Sequence, residues 1–449
     1  MPDLSLSGLS RAELDLVDRM SRRLDLVQAA NKTKSAYYDG TQRVRDLGIS
    51  IPPELSCLEV VVGWPGTVVD VLEERLDFLG WSDPALDDLY AANDLAAEAS
   101  GGHTDALIHG VTFVATGAGM EGEPDVVVSV EGPMTMTVEW DRRAREVSAA
   151  YAVDETDDAG QAESITLYLR DQRIKAERVS GGWKVVERDM HKLGRTCVRR
   201  LVNRWRTSRS SGRSEITPAI CSLTDSCVRT LLGVEVAREF FAAPQRWVMG
   251  ADQSSFQDAD GQPLTAWESY LGRMLAISAP DGGGELPKVG QFAASSPDAF
   301  WSTVRGYAQL LSAEGAIPVS YLGISTDQPP SADSVRALEA RLIKRAERRQ
   351  AHFGRTWAGV GADAALIRDP SSAALPNTEP PTPLWRDAAT PTRAAAADAT
   401  TKLVQAGVLP ADSSVTWDLL GLSPDQQKRL ATDLARRRAE VFADEVDEA

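Results

Sequence analysis

The sequence predicts an α+β chain, mainly helical, with an antiparallel β meander set into its first half. Three observations carry that expectation. Apolar residues recur at spacings of three and four over long stretches towards both ends of the chain. Between Val111 and Arg188 the period changes to two, in seven short runs separated by turn residues. Beyond the meander, two long helical patterns flank a turn-rich stretch at residues 244–293.

Leu14, Val17, Met20, Leu24 and Val27 lie on one helical face, and Tyr37-Tyr38-Asp39-Gly40 closes a second, shorter helix with a glycine stop. Ile51-Pro52-Pro53 forces an extended stretch. After the turn Gly63-Trp64-Pro65-Gly66 a helix is predicted over Val68–Leu79, and the Ala- and Leu-rich run Asp83–Gly110 is helical again. Strands are predicted at 111–116, 125–130, 134–140, 146–153, 164–170, 174–179 and 183–188. The acidic run Asp154–Gly160 and Ser180-Gly181-Gly182 supply turns.

A long helix is predicted from Pro218 to Ala242, with Ile220, Leu223, Cys227, Leu231 and Val234 on one face and Pro244 as its stop. Ser296-Pro297-Asp298 combines a capping serine, a first-turn proline and an acid at the positive helix end. That helix runs to Ala313, aligning Phe300, Val304, Tyr307 and Leu311. Ser331 caps another, through Val335, Leu338, Leu342 and Ala346, with Arg341, Lys344, Arg345, Arg348 and Arg349 on its polar side. Residues 369–393 carry six prolines and form an extended arm. A final helical unit covers 394–443, with a second Ser-Pro-Asp start at Ser423, before the acidic end Asp444–Ala449.

At about 100–200 residues per domain, 449 residues predict two to four domains. The 48 basic and 65 acidic side chains leave a net charge of −17, which argues against gripping nucleic acid over the whole surface. It leaves open a protein that lets DNA pass without holding it. Cys57, Cys197, Cys221 and Cys227 include no CxxC pair, so free thiols in a reducing compartment are expected. Met1-Pro2-Asp3-Leu4 does not read as a signal peptide, and no apolar run approaches the roughly 18–20 residues of a membrane span. A soluble chain, cytoplasmic when made, is the expectation.

Tests for chemistry are mostly negative. Gly117-Ala118-Gly119-Met120-Glu121-Gly122 matches GxGxxG, but Pro124 and a strand follow where a dinucleotide site needs a helix, so a hairpin turn is expected. GK[ST], GxSxG and HExxH are absent. His103, His109, His191 and His352 read as isolated packing or surface residues rather than metal ligands. Asp154, Glu155, Asp157 and Asp158 lack the Gly and distal Glu of a calcium loop, and Asp258-Ala259-Asp260-Gly261 lacks its first ligand, with Phe256 there instead. No catalytic residue, metal site or cofactor is therefore expected. From Arg188 to Arg213 there are nine Lys or Arg against one acid, Asp189. The run reads either as a solvated or intersubunit salt-bridging face or, with Trp205 interleaved, as a patch meeting DNA phosphate. For the basic helix at 341–349, intersubunit or intramolecular pairing is favoured.

A series of segments nevertheless resembles the portal proteins of tailed bacteriophages, of the siphophage type found in phages of actinobacteria. They are Tyr37-Tyr38-Asp39-Gly40 with Leu47–Pro53, then Val62–Gly66, Gly212–Pro218, Ala243–Trp247, Ile317–Gly323, and Ser331–Ser334 leading into Glu339–Leu342. None is a chemical signature; their order over residues 37 to 350 carries the resemblance. It implies a portal fold: a wing at 1–212, a stem helix at 213–243, a clip at 244–293, a second stem helix with a channel loop at 294–330, and crown helices at 331–449. It implies a non-enzymatic homo-oligomeric ring of about twelve subunits, a dodecamer, at one capsid vertex of the virion, assembled in the host cytoplasm. Double-stranded DNA would pass through the ring during packaging and ejection. The major capsid protein, the terminase large subunit and a head–tail connector or adaptor protein would be the other partners.

Arg213, Arg229, Arg238, Lys288 and Arg305 are the candidate channel-facing cations, with a salt bridge to a neighbouring subunit as the alternative for each. Residues 1–150 hold 12 basic and 26 acidic side chains, a balance of −14, so the negative charge sits mainly in the implied outer wing. Rival classes are a non-portal phage structural adaptor, a monomeric interaction scaffold, and a DNA-processing enzyme. The last would need paired metal-binding carboxylates or a phosphate loop.

Overall fold

Residues 8–43, 59–179, 182–241, 246–251, 274–278, 288–291, 298–324, 332–369, 380–389 and 393–447 are described by the computed structural model. The chain divides into two units, Met1–Arg386 and Asp387–Ala449. Ser10 opens helix α1 (Arg11–Tyr38) with a capping box, its hydroxyl accepting from the Glu13 amide while the Glu13 carboxylate accepts from the Ser10 amide. The helix runs unbroken, where the sequence suggested a second, shorter one ending at Tyr38. Tyr37 and Tyr38 explain the continuity, because each donates its hydroxyl to a distant carboxylate, Asp225 at 2.9 Å and Asp70 at 2.8 Å.

Helix α2 (Trp64–Glu73) starts on the proline turn itself and stops earlier than expected. Phe78–Trp81 forms strand β1 instead, since a partner strand near residue 384 takes up its backbone groups. The run predicted as one helix over Asp83–Gly110 breaks at Asp94, whose φ is +45°, into α3 (Asp87–Ala92) and α4 (Leu95–His109).

The strands that follow the predicted change of period define two sheets. Strands β2 (Val111–Ala118), β3 (Val126–Glu131) and β9 (Val198–Val202) form one sheet in the order β3-β2-β9. Strands β4 (Met136–Asp141), β5 (Glu146–Thr156), β6 (Ala162–Tyr168), β7 (Arg173–Val179) and β8 (Gly182–Asp189) make an antiparallel meander. Alternation along β5 serves two cores at once. Ala149 and Tyr151 face α1 through Leu16, Met20 and Leu24, while Ala150 and Ala152 face Phe113, Ala115 and Val198 of the smaller sheet. The GxGxxG segment is the β2–β3 hairpin: the Gly119 amide donates to the Asp125 carbonyl at 3.1 Å. The Asp154–Gly160 tip closes on itself, Asp157 accepting from the amides of Ala159 and Gln161. Ser180 and Gly181 lie outside the described residues. Strand β9 is unforeseen, hidden in the basic run.

Helices α5 (Pro218–Phe241) and α6 (Asp298–Gly315) pack on each other, with Ala308 and Leu311 fully buried. Between them in sequence, β10 (Arg246–Ala251), β11 (Met274–Ser278) and β12 (Lys288–Gln291) form a small sheet in the order β11-β10-β12. The capping residues Ser296, Pro297 and Ser331 lie outside the described residues, as do Leu47–Pro53, Cys57 and Asp258–Gly261.

Helix α7 (Ala332–Arg368) has 37 residues, a rod of about 55 Å. Phe353, Trp357, Val360 and Ala364 recur on its buried face. Part of the Pro-rich arm comes back to it: β13 (Pro383–Trp385) pairs antiparallel with β1. In the second unit, α8 (Arg393–Gln405), α9 (Ser414–Leu419) and α10 (Pro424–Asp447) follow, and Ser423 and Gln426 form the predicted helix start as a reciprocal cap.

The arm seats where α7 has glycine. A Cβ at Gly361 would lie 2.7 Å from Pro381 Cγ and 2.8 Å from Trp81 Nε1. Gly361→Ala should therefore overpack this contact and destabilise the protein by about 1–3 kcal/mol. Denaturant unfolding checks it, and a variant as stable as the parent would refute the close contact.

Candidate functional site

The polar chemistry of the first unit concentrates where β9, the approach to α5 and helix α7 converge. Asn203 follows β9, and its side-chain amide donates to the Arg213 carbonyl at 2.8 Å. Its backbone amide donates to the Gly110 carbonyl at 3.0 Å. Gly110 needs its φ of +103° here, and a Cβ on it would lie 3.1 Å from the Arg213 backbone. One step on, the Glu215 amide donates to the Leu107 carbonyl at 2.8 Å, and the Ser214 hydroxyl donates to the Ile108 carbonyl. The end of α4 thus presents its last carbonyls to residues 214–215 and fixes where the Glu215 side chain starts.

That carboxylate is fully enclosed, and three guanidinium groups reach it. Arg349 Nη2 lies 2.7 Å from one oxygen, and Arg345 Nη2 lies 2.6 Å from the other. Arg204 spans both, at 2.7 and 3.1 Å. Asn203 adds a bond to Glu215 at 3.1 Å and accepts from Arg349 Nε at 2.9 Å. Burial pushes the Glu215 carboxyl up, but Arg345, Arg349, Arg204 and Asn203 outweigh it and hold the pKa below the ordinary glutamate value. Burial also pushes Arg345 down, reinforced by Arg349 and Arg204 against the attraction of Glu215.

A second buried carboxylate fastens the same helix further along. Asp363 receives Arg199 through two bonds of 2.6 and 2.7 Å and has Arg195 at 3.2 Å. Between the two carboxylates, Thr356 donates to the Arg200 carbonyl at 2.7 Å, while the Arg200 guanidinium lies 3.5 Å from the Trp140 ring centre. Across α7, the Trp357 indole donates to His103 Nε2 at 3.0 Å, and the His103 ring stacks on Phe353. Complete burial pulls the His103 pKa down to about 3, so the ring is neutral and free to accept.

Much of the basic run is therefore paired within the chain, an outcome neither of its two sequence readings contained. Arg188 pairs with Glu13, Arg195 and Arg199 with Asp363, and Arg204 with Glu215. In the basic helix, Arg345 and Arg349 pair intramolecularly, one of the two options expected. Arg206, Arg213 and Arg348 differ: with Arg204 and Arg349 they line a cavity of about 270 Å³, beside Trp205 and His352.

Of the nominated cations, Arg213 is half-buried in that cavity wall, just before α5. Arg229 and Arg238 are exposed on α5, the latter 2.8 Å from Glu235, and Arg305 is exposed on α6. Lys288 opens β12. Glu215 and Asp363 escape sequence reasoning as polar centres. Asp363 alone had a signal, as the single acid of Gly361-Ala362-Asp363-Ala364-Ala365. Among the described residues, no cluster of His, Cys, Asp or Glu could hold a metal ion, and no helix is long and apolar enough to cross a membrane.

Residues 35–418 match the family described as phage portal protein, SPP1 Gp6-like. The chain belongs to that family. Its fold is the family's α+β portal fold, and its role is that of a phage portal protein, a structural one. The portal protein of Mycobacterium phage L5 is 33% identical over 394 residues, covering 84% of this chain and 80% of that protein. The portal protein of Mycobacterium phage D29 is 32% identical over the same shares. Among solved structures, a chain in the neck of the native GTA particle is 16% identical, covering 81% of this chain and 92% of its own. It superposes loosely, with a TM-score of 0.40.

Glu215→Gln should cost about 3–5 kcal/mol, because it leaves three guanidinium groups around a neutral amide. Denaturant midpoints measure this, and a loss below about 1 kcal/mol would mean the cluster is dispensable. His103 gives a pH signature. Its folded pKa is depressed from 6.5, so between pH 6.5 and about 3 the unfolded chain takes up a proton that the folded one refuses. Stability should fall as pH drops through that window, by about 1.4 kcal/mol per unit from this group. His103→Phe should flatten the acid limb of a stability–pH profile by that amount; an unchanged slope would contradict the buried neutral ring.

Proposed function

We propose that this protein assembles into a closed homo-oligomeric ring, a dodecamer, at a single vertex of the virion capsid. Double-stranded DNA is packaged and ejected through the ring. The match of residues 35–418 to the portal family carries the reading. The fold supports it in two ways. Helices α5 and α6 pair around an intervening β segment, an arrangement suited to a stem bearing a clip. Leu26 on α1 and Trp301 and Leu310 on α6 are exposed, apolar surface of the kind that the two mating faces of a ring subunit would cover.

In this reading residues 1–212 form the wing, 213–243 and 294–330 the two stem helices with the channel loop, 244–293 the clip, and 331–449 the crown. Arg213, Arg229, Arg238, Lys288 and Arg305 face the channel. The ring has no catalytic residue; it docks the terminase large subunit, a head–tail connector or adaptor protein and the major capsid protein, after assembly in the host cytoplasm.

Purified protein should form annuli in negative-stain images. Charge reversal at Arg229, Arg238 and Arg305 should leave annuli intact while lowering the DNA content of particles. Failure to form annuli at any salt or protein concentration, alone or with capsid protein, would overturn the ring. Reversal variants that package normally would overturn the channel assignment.

A further inference from the structure

The cavity lined by Arg204, Arg206, Arg213, Arg348 and Arg349 has a charge that the fold leaves unbalanced. Arg345 lies behind it, sharing Glu215 with Arg204 and Arg349. Six guanidinium groups thus lie in or behind the cavity wall with one carboxylate, Glu215, which three of them reach, and six minus one leaves five positive charges. Arginine cannot shed its proton to relieve such crowding, so a bound anion would be favoured here. Among the described residues, Arg206, Arg213 and Arg348 have no carboxylate within ion-pair distance. Arg206 and Arg348 are exposed, and Arg213 is half-buried.

The shape and the neighbours of these cations narrow the chemistry of the anion. Guanidinium forks converging from a loop before α5 and from α7 suit an ion with several acceptor oxygens spread around one centre, as phosphate has. Trp205 lies between Arg204 and Arg206 in sequence, lines the same cavity and is 47% exposed. An aromatic face beside a phosphate-binding fork is the pairing that holds a nucleotide, base or sugar on the ring and phosphate on the arginines. The cavity volume of about 270 Å³ accommodates a phosphate with its attached sugar.

We propose that this cavity is a binding site for the sugar-phosphate backbone of a nucleic acid, with Arg206, Arg213 and Arg348 as the contacting cations and Trp205 as the ring that packs on a sugar. The identity of the ligand rests on the reading of the ring as a DNA conduit; the charge imbalance and the cavity do not. The site recognises phosphate and a ring face, so it does not distinguish sequences. It lies at the junction of β9 and α7 and shares Arg213 with the residues assigned to the channel.

The test uses the full chain, a labelled mixed-sequence DNA duplex, and anisotropy titrations across a salt series. Arg206 and Arg348 touch neither Glu215 nor Asp363, so the double variant Arg206→Gln with Arg348→Gln should melt like the parent. Each lost phosphate contact lowers the slope of log affinity against log salt by about 0.9. The double variant should therefore show a slope smaller by about 2 and bind roughly tenfold to a hundredfold more weakly at about 0.1 M salt. Trp205→Ala should weaken binding with the slope unchanged, because packing a ring on a deoxyribose releases no counterion.

Duplex binding that the double variant leaves unaltered would overturn the site while leaving the conduit intact. The site is equally overturned if inorganic phosphate alone occupies the cavity and the duplex does not. An acidic peptide of residues 440–449 that binds in place of the duplex, and is lost in the double variant, would make the occupant a polypeptide and overturn the proposal. Absence of annuli would count against the conduit alone, since these titrations also read the unassembled chain.

Discussion

Glu215 is the point on which the first unit hangs. Taking a carboxylate fully out of water costs several kcal/mol, and only close, well-directed partners offset it. Those partners come from two places far apart in sequence: Arg204 after β9, and Arg345 and Arg349 on successive turns of α7. The carboxylate can be satisfied only if the sheet, the long helix and the root of α5 stand in one arrangement. Its own backbone is held by the final carbonyls of α4, so the direction in which α5 departs is set before that helix begins.

The long helix is gripped at a second level by Asp363 and Arg199, with a layer of rings between the two levels. Trp81 donates its indole hydrogen to the Trp357 carbonyl at 2.8 Å, and Phe78 stacks on Trp357 at 4.6 Å between ring centres. Ion pairs tolerate little change of angle, and close-packed rings tolerate little change of volume. Together they make α7 and the smaller sheet one stiff body.

The meander is legible in the sequence because apolar residues alternate along β4, β6 and β7, and Asp154–Gly160 and Ser180-Gly181-Gly182 carry turn chemistry. The long helices are legible from period and caps. What escapes reading depends on partners distant in the chain. Val198–Val202 looks like part of a basic run because Arg199 and Arg200 interrupt it; their neutralisers, Asp363 and the Trp140 ring, are 164 and 60 positions away. Phe78 and Leu79 read as the end of a helix because nothing nearby announces a strand whose mate is Pro383–Trp385. In the sequence Glu215 is only one letter of a family resemblance, and its chemistry becomes visible when three arginines converge on it.

The pairing of β1 with β13 also bears on how the chain comes into being. Phe78 meets Trp385, so 307 residues are synthesised between one half of the contact and the other. At roughly 5–20 residues per second, the emerging β1 waits about 15 to 60 seconds for its mate. Throughout that interval Phe78, Trp81 and the rings that later stack on Trp357 lack their cover, and the long-range closure makes the topology slow. The nascent chain thus carries an open aromatic seam until nearly all of the first unit has left the ribosome, which makes this seam the natural ground for a holding chaperone and for premature association between unfinished copies.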